Sequence, residues 1–153
     1  MKLRIGNGID VHELQLGQTL IIGGIKIDSK YGIKGHSDGD LVLHALVDSI
    51  LGALTLGDIG QYFPSSDKKW ENASSETFLK FAIAKMQSLR YKINNIDITI
   101  VLQAPSLKSY NQEIRTKLSS LCKIEFNQVS LKATTTDNLG FLGRGEGIAA
   151  FIT

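Results

Sequence analysis

The feature that most restricts this chain is the way its apolar residues switch between a period of two and a period of about 3.6. Leu3, Ile5, Ile9 and Val11 fall on alternate positions, as one face of a strand does, and residues 20–27 are again strand-like. Gly17 between them reads as a turn, so a hairpin is expected at the start. The spacing then changes, and Leu43, Val47, Ile50, Leu51 and Leu54 recur at helical intervals. Ser37-Asp38-Gly39-Asp40 has the Ser-x-x-acid form of a capping box, which predicts a helix from about Asp38 to Leu56. Leu79, Ile83 and Met86 predict a second helix, and Tyr110, Ile114, Leu118 and Leu121 a third. Ile96, Ile98, Ile100 and Leu102 predict a strand, as do Val129, Leu131 and Ala133, and residues 148–152 form a last apolar strand. Such an order predicts one α+β domain over residues 1–153, built as two layers with helices on one face of a mixed sheet. A chain of 153 residues can bury about two-thirds of its unfolded surface, enough for one core.

The polar segment 57–75, with Pro64 and two Ser-Ser pairs, has no clear period and reads as a loop long enough to act as a lid. Lys and Arg number 17 against 15 Asp and Glu, a balance that predicts no nucleic-acid partner. No run of about 18 apolar residues occurs, so no membrane span is expected. The first residues lack a signal-peptide pattern, and a cytoplasmic protein is expected. The single Cys122 lies in an apolar stretch and is expected to be a buried, inert thiol.

Asp10 and His12 are two apart on a predicted strand, so both side chains leave the same face. The chain has three histidines, His12, His36 and His44, all in its first third. His44 shares a helical stripe with Asp40 and Asp48, which could support it. Three N/O ligands with one open position suit a catalytic zinc site, although each histidine taken singly has an ordinary structural reading. His36-Ser37 falls at the expected helix N-terminus, where free N–H groups attract an anion such as phosphate or simply receive a cap. Lys132 and Thr134 share a strand face that leads into Thr135-Thr136-Asp137, a cluster that threonine's strand preference could also explain. The glycine-rich segment 140–147 lacks the spacing of a dinucleotide fingerprint. Asp58-Ile59-Gly60 and Phe63-Pro64 are, by themselves, turn chemistry.

Six blocks in fixed order, at 4–12, 36–45, 56–60, 103–105, 132–136 and 139–147, closely resemble the 2-C-methyl-D-erythritol 2,4-cyclodiphosphate synthase family. The resemblance implies the non-mevalonate route to isoprenoids. It implies conversion of 4-diphosphocytidyl-2-C-methyl-D-erythritol 2-phosphate to the cyclic diphosphate with release of CMP. Asp10, His12 and His44 would then hold Zn²⁺ or another divalent cation, Asp137 would hold Mg²⁺ or Mn²⁺, and His36 with Thr135 would act on the phosphates. The implied substrate contacts are Asp10, Val11, His12, His36 and Ser37; Asp58, Ile59 and Gly60; and Phe63, Pro64, Ser65, Ser66 and Asp67 in the lid. They continue through Leu102, Gln103, Ala104, Pro105, Ser106, Leu107 and Lys108 around the cytosine. Thr134, Thr135, Thr136, Asp137, Phe141 and Arg144 complete them. The family also implies a homotrimer with active sites between protomers, and Arg144 with Glu146 near its axis. Asp137 departs from the usual glutamate, Ser65 from a frequent aspartate and Ser106 from a frequent lysine. A non-catalytic binding protein on the same scaffold would share these residues, and CMP release separates the two readings.

Overall fold

Alternation from residue 8 onward becomes strand β1, Gly8–Leu16, in a computed structural model that describes residues 3–33, 38–70 and 73–153. Its antiparallel neighbour on one side is β7, Gly147–Ile152, with Asp10 opposite Ala150 and His12 opposite Ile148. On the other side is β4, Tyr31–Ile33, with Leu14 opposite Ile33. The expected hairpin between β1 and residues 20–27 does not form. That segment breaks at Gly23 and Gly24, whose φ values of 59° and 80° suit a tight two-residue turn. It therefore folds on itself as β2, Leu20–Ile22, against β3, Ile25–Ile27.

The sheet is completed by β5, Ile96–Val101, and β6, Val129–Thr134, in the order β4-β1-β7-β5-β6. Among the described residues only the β5–β6 pair is parallel, and the connection it requires carries a helix, as parallel neighbours usually do. Ile96, Ile98 and Ile100 of β5 are buried while Asp97, Thr99 and Val101 between them are half-buried, so the helices cover one face. Helix α1, Leu41–Ala53, lies over β1 and β7. Helix α3, Ser75–Ser88, packs on α1, and α4, Asn111–Cys122, on β6. The expected mixed sheet with helices on one face is what forms. Cys122 is buried, and that burial pushes its thiol up to about 12.

The cap of α1 differs from the expected one, since Ser37 lies outside the described residues and the N-cap is Asp40. Its Oδ1 accepts from the N–H groups of Val42 and Leu43, both at 3.2 Å, and from Gly23 N at 2.9 Å. Its Oδ2 accepts from Gly24 N at 2.5 Å. Asp40 therefore ties the β2–β3 turn to the start of α1. Burial raises its carboxyl to about 6, although the N–H bonds of Gly24, Gly23 and Leu43 pull the other way.

Segment 57–75 is not a featureless loop. It holds α2, Ile59–Tyr62, capped by Asp58, and a single 3₁₀ turn, Lys68–Trp70. Phe63 then stacks among Trp70, Phe78 and Phe81, with ring centroids 4.8, 4.6 and 5.1 Å away. Units this short leave no readable period. A further short helix, α5, Gly140–Gly143, occupies the glycine-rich segment.

Helix α1 approaches β1 with no side chain between the two backbones. A Cβ at Gly8 would lie 1.8 Å from the Ala45 carbonyl oxygen, and one at Gly6 would lie 1.8 Å from that of Ser49. Gly8→Ala must push the helix outward, and a loss of about 1–3 kcal/mol is expected in denaturant unfolding. A variant as stable as the parent would mean that α1 moves freely on β1. Asp40→Ala leaves four N–H groups without their acceptor, and a loss of about 3 kcal/mol is expected. Asp40→Asn retains one acceptor oxygen and should lose less; equal losses for the two variants would show that the hydrogen bonds are not what stabilises this junction.

Candidate metal centre

The contact between α1 and β1 sets the site, because His44 immediately precedes Ala45, whose carbonyl lies against Gly8. Asp10 and His12 project from the same face of β1 towards the helix layer. Asp10 Oδ2 lies 3.1 Å from His44 Nδ1 and 3.2 Å from His12 Nδ1. One ligand atom from each residue lies within 4.8 Å of the others, and all three residues are half-buried. Asp10 Oδ1 is engaged separately, accepting from Val11 N at 2.9 Å. Burial alone would raise the Asp10 carboxyl, but the two imidazoles outweigh it and hold the group at about 2. It is thus a ready anionic ligand.

His12 Nδ1 is buried and makes no well-angled hydrogen bond despite its closeness to Asp10. A buried imidazole nitrogen aimed at a carboxylate oxygen without a bond to it is an arrangement a cation satisfies. Two imidazoles and one carboxylate form the donor set of an open zinc site, so the residues fit the metal expected from the sequence.

The expected supporting carboxylates of His44 are corrected in part. Asp40 is occupied as the cap of α1, whereas Asp48, whose Oδ1 accepts from Ile59 N at 2.7 Å, still acts on His44 through its charge. What touches the far side of the imidazole is Ser75, whose Oγ lies 2.8 Å from His44 Nε2. Ser75 is fully buried, and its hydroxyl and its backbone N–H both bond to Asp38, the N–H at 3.0 Å. Sequence reading missed both residues as site members. Ser75 stands 31 positions from His44, so no periodicity could link them, and Asp38 was hidden inside an apparent capping motif.

Asp48 lies one turn on from His44, and its bond to Ile59 brings Asp58, Ile59 and Gly60 to the metal side of α1. Burial raises the Asp48 carboxyl, and the nearby Asp58 and Asp10 add to this. Beyond Phe63, residues Pro64, Ser65, Ser66 and Asp67 are exposed. His36 and Ser37 lie outside the described residues.

The remaining expected contacts gather elsewhere, at the C-terminal ends of the parallel strands. Gln103 Nε2 donates to Asn138 Oδ1 at 3.2 Å, joining the segment after β5 to that after β6. Gln103 Oε1 is buried without a partner. Leu102 and Leu107 are buried, whereas Ala104, Ser106 and Lys108 are exposed and Pro105 is half-buried. Thr134, Thr135 and Asp137 are exposed, Thr136 is half-buried, and Thr135 Oγ1 lies 3.4 Å from Asp137 Oδ1. Asp137 and Asn138 have φ of 51° and 64°, a left-handed region that aspartate enters more readily than glutamate. Lys132 does not join this group, being bonded to Asp97 at 2.6 Å. Arg144 grips Glu146 through two bonds of 2.7 and 3.1 Å, and Phe141 is exposed.

The strand that leads into the Thr135–Asp137 cluster stands three strands away from the one that carries Asp10 and His12. Asp10, Ala150, Ile100 and Ala133 form one row across four strands, which places Ala133 about 14 Å from Asp10 at ordinary strand spacing.

Residues 3–153 match the model of the YgbB family. A 2-C-methyl-D-erythritol 2,4-cyclodiphosphate synthase from Acinetobacter baumannii (strain SDF) is 46% identical over 152 residues, covering 99% of this chain and 95% of its own. A CDP-bound structure of a synthase of the same name has a TM-score of 0.90 and 33% identity, with 97% of each chain covered. The bifunctional IspDF from Campylobacter jejuni has a TM-score of 0.92 and 40% identity; the match covers 99% of this chain and 41% of that longer one. With a match over nearly its whole length and a curated relative at 46% identity, the chain belongs to the YgbB family, among the 2-C-methyl-D-erythritol 2,4-cyclodiphosphate synthases.

Proposed function

We propose that this chain converts 4-diphosphocytidyl-2-C-methyl-D-erythritol 2-phosphate into 2-C-methyl-D-erythritol 2,4-cyclodiphosphate and CMP, as a phosphorus–oxygen lyase of the non-mevalonate isoprenoid pathway. The observation that carries this reading is the convergence of Asp10, His12 and His44 in a member of this family. An oxygen of the substrate's own 2-phosphate attacks the β-phosphorus, and the bond from that phosphorus to the oxygen it shares with the α-phosphate breaks. CMP leaves with that oxygen. Such a displacement needs little covalent help, so the protein's task is to fold a flexible substrate and balance its charge.

Asp10, His12 and His44 would hold Zn²⁺ or another divalent ion, and Asp137 would hold Mg²⁺ or Mn²⁺. When bound, these cations supply Lewis-acid polarisation of phosphate oxygens. His36 and Thr135 orient the phosphates by hydrogen bonding, with Val11, Ser37, Thr134 and Thr136 beside them. Asp58, Ile59 and Gly60 hold the methylerythritol hydroxyls, and the lid residues Phe63, Pro64, Ser65, Ser66 and Asp67 close over them. Residues 102–108 wall the cytosine, where the unpartnered Gln103 Oε1 offers an acceptor to an exocyclic amine. Phe141 and Arg144 complete the substrate contacts. We place the whole activity in one domain, residues 1–153, working in the cytoplasm.

The same proposal includes a homotrimer with sites shared between protomers. Two observations favour it. The strand leading into the Thr135–Asp137 cluster is three strands away from the one that carries Asp10 and His12, and the sheet face away from the helices carries exposed Ile9, Val11 and Phe151.

Purified protein given the cytidyl substrate and Mg²⁺ is expected to release CMP, measured by chromatography. His44→Ala should lose both tightly bound zinc and this activity. A zinc-loaded parent that binds the substrate but releases no CMP would instead make it a binding protein. For the shared site, His44→Ala and Asp137→Ala chains, each nearly inactive alone, are unfolded together and reassembled in equal amounts. An interface then works only when each chain contributes its intact face, so about one quarter of sites should recover. Mixed trimers verified by sizing that regain no CMP release would place the whole site within one protomer.

A further inference from the structure

Ser75 and Asp38 are not members of the metal cluster, yet Ser75 meets the Nε2 side of His44 and Asp38 stands behind Ser75. The Asp38 carboxylate can only accept hydrogen bonds. Its Oδ2 takes the Ser75 backbone N–H at 3.0 Å, and its Oδ1 is bonded to the Ser75 hydroxyl. Oδ1 also receives the N–H of Asp40 at 3.3 Å, so the carboxylate is held by the start of α1 as well as by α3. A hydroxyl has one proton to give, and Asp38 takes it. Ser75 Oγ therefore faces His44 Nε2, at 2.8 Å, as an acceptor, and the ring proton must reside on Nε2. In the neutral ring the opposite nitrogen, Nδ1, then carries the lone pair, and it faces Asp10 Oδ2, 3.1 Å away. A cation between the two atoms satisfies both: a metal ion or, in its absence, a second ring proton on Nδ1.

We infer that Ser75, oriented by Asp38, is a positioning residue that fixes the Nε2-protonated form of His44 and so presents Nδ1 to the metal. This rests on the metal-site reading of the proposed function and adds to it a carboxylate–serine–histidine relay. The burial of Ser75 matters, because no water competes for its hydroxyl. The relay also couples metal binding to the docking of α3 on α1, since Ser75 is the first residue of α3 and His44 belongs to α1.

The test uses the full-length chain, with zinc affinity read by competition against a chromophoric chelator. Ser75→Ala is expected to weaken zinc binding by about 10- to 100-fold, as loss of a histidine's outer partner usually does. Ser75→Thr, which restores the hydroxyl, should recover most of that loss. In ¹⁵N-histidine spectra of the zinc-loaded parent, the His44 Nε2 proton should be retained and slow to exchange; in Ser75→Ala it should exchange fast. Asp38→Asn provides a second route that leaves Ser75 in place. Its amide can donate to Ser75, which reverses the chain of donors, moves the ring proton towards Nδ1 and weakens zinc similarly. If Ser75→Ala fails to fold, Asp38→Asn and the parent spectrum decide the matter. Parent-like zinc affinity in folded Ser75→Ala, or in Asp38→Asn, would overturn the relay while leaving the metal site intact. A parent protein that binds no zinc would overturn both, and CMP release by the parent reports separately on the proposed reaction.

Discussion

The contact between the backbones of α1 and β1 sets the rest of the arrangement. At Gly6 and Gly8 the helix carbonyls of Ser49 and Ala45 occupy the space where Cβ atoms would stand, so the separation of helix and strand is fixed by main chain alone. Main-chain contact leaves no rotamer to adjust. His44, adjacent to Ala45, is delivered onto Asp10 and His12 as a consequence, and the metal cluster exists because these two elements touch. Three other segments then hang from the same helix. Asp40 holds the β2–β3 turn at its start, Asp48 holds α2 near its middle, and Ser75 of α3 rests against His44.

Carboxylates do most of this joining, and their surroundings set them different tasks. Asp40 is enclosed by backbone N–H groups, which satisfy its oxygens but supply no full positive charge, and burial leaves its carboxyl raised. Asp48 is raised by partial burial and by the nearby Asp58 and Asp10. Asp10 has two imidazoles within about hydrogen-bonding distance, and these hold it low. Asp10 differs in that one oxygen, Oδ2, faces two imidazoles and, among the described residues, no backbone donor, which is where a cation could be held.

Much of this was legible in the sequence, and the exceptions have physical causes. The strands β5, β6 and β7 and the helices α1, α3 and α4 follow directly from apolar spacing. Asp10 and His12 share a face by the geometry of any strand. The opening hairpin was misread because Gly23 and Gly24 sit inside an apparently continuous strand, and only their positive φ turns it back on itself. The cap of α1 was misassigned because Asp40 draws half of its donors from Gly23 and Gly24, far from the helix in sequence. The short helices of 57–75 are held by rings from elsewhere in the chain, chiefly Phe78 and Phe81, so local period carries no trace of them. The Ser75 contact to His44 is a product of helix packing and has no local signature.

The two faces of β1 are chemically distinct. Asp10 and His12 alternate with Ile9 and Val11, so the strand that presents metal ligands to the helix layer presents apolar side chains to the opposite side. β7 continues the pattern, with Ile148, Ala150 and Ile152 facing the helices and Phe151 facing away. Any slip of register by one residue would bury Ile9 and Val11 under α1 and expel both ligands at once. Gly8 blocks that slip, because the neighbouring residues Asn7 and Ile9 carry Cβ atoms that cannot occupy the space against the Ala45 carbonyl. The glycine that brings helix and strand together therefore also fixes which face of β1 carries Asp10 and His12 and which carries the exposed Ile9 and Val11.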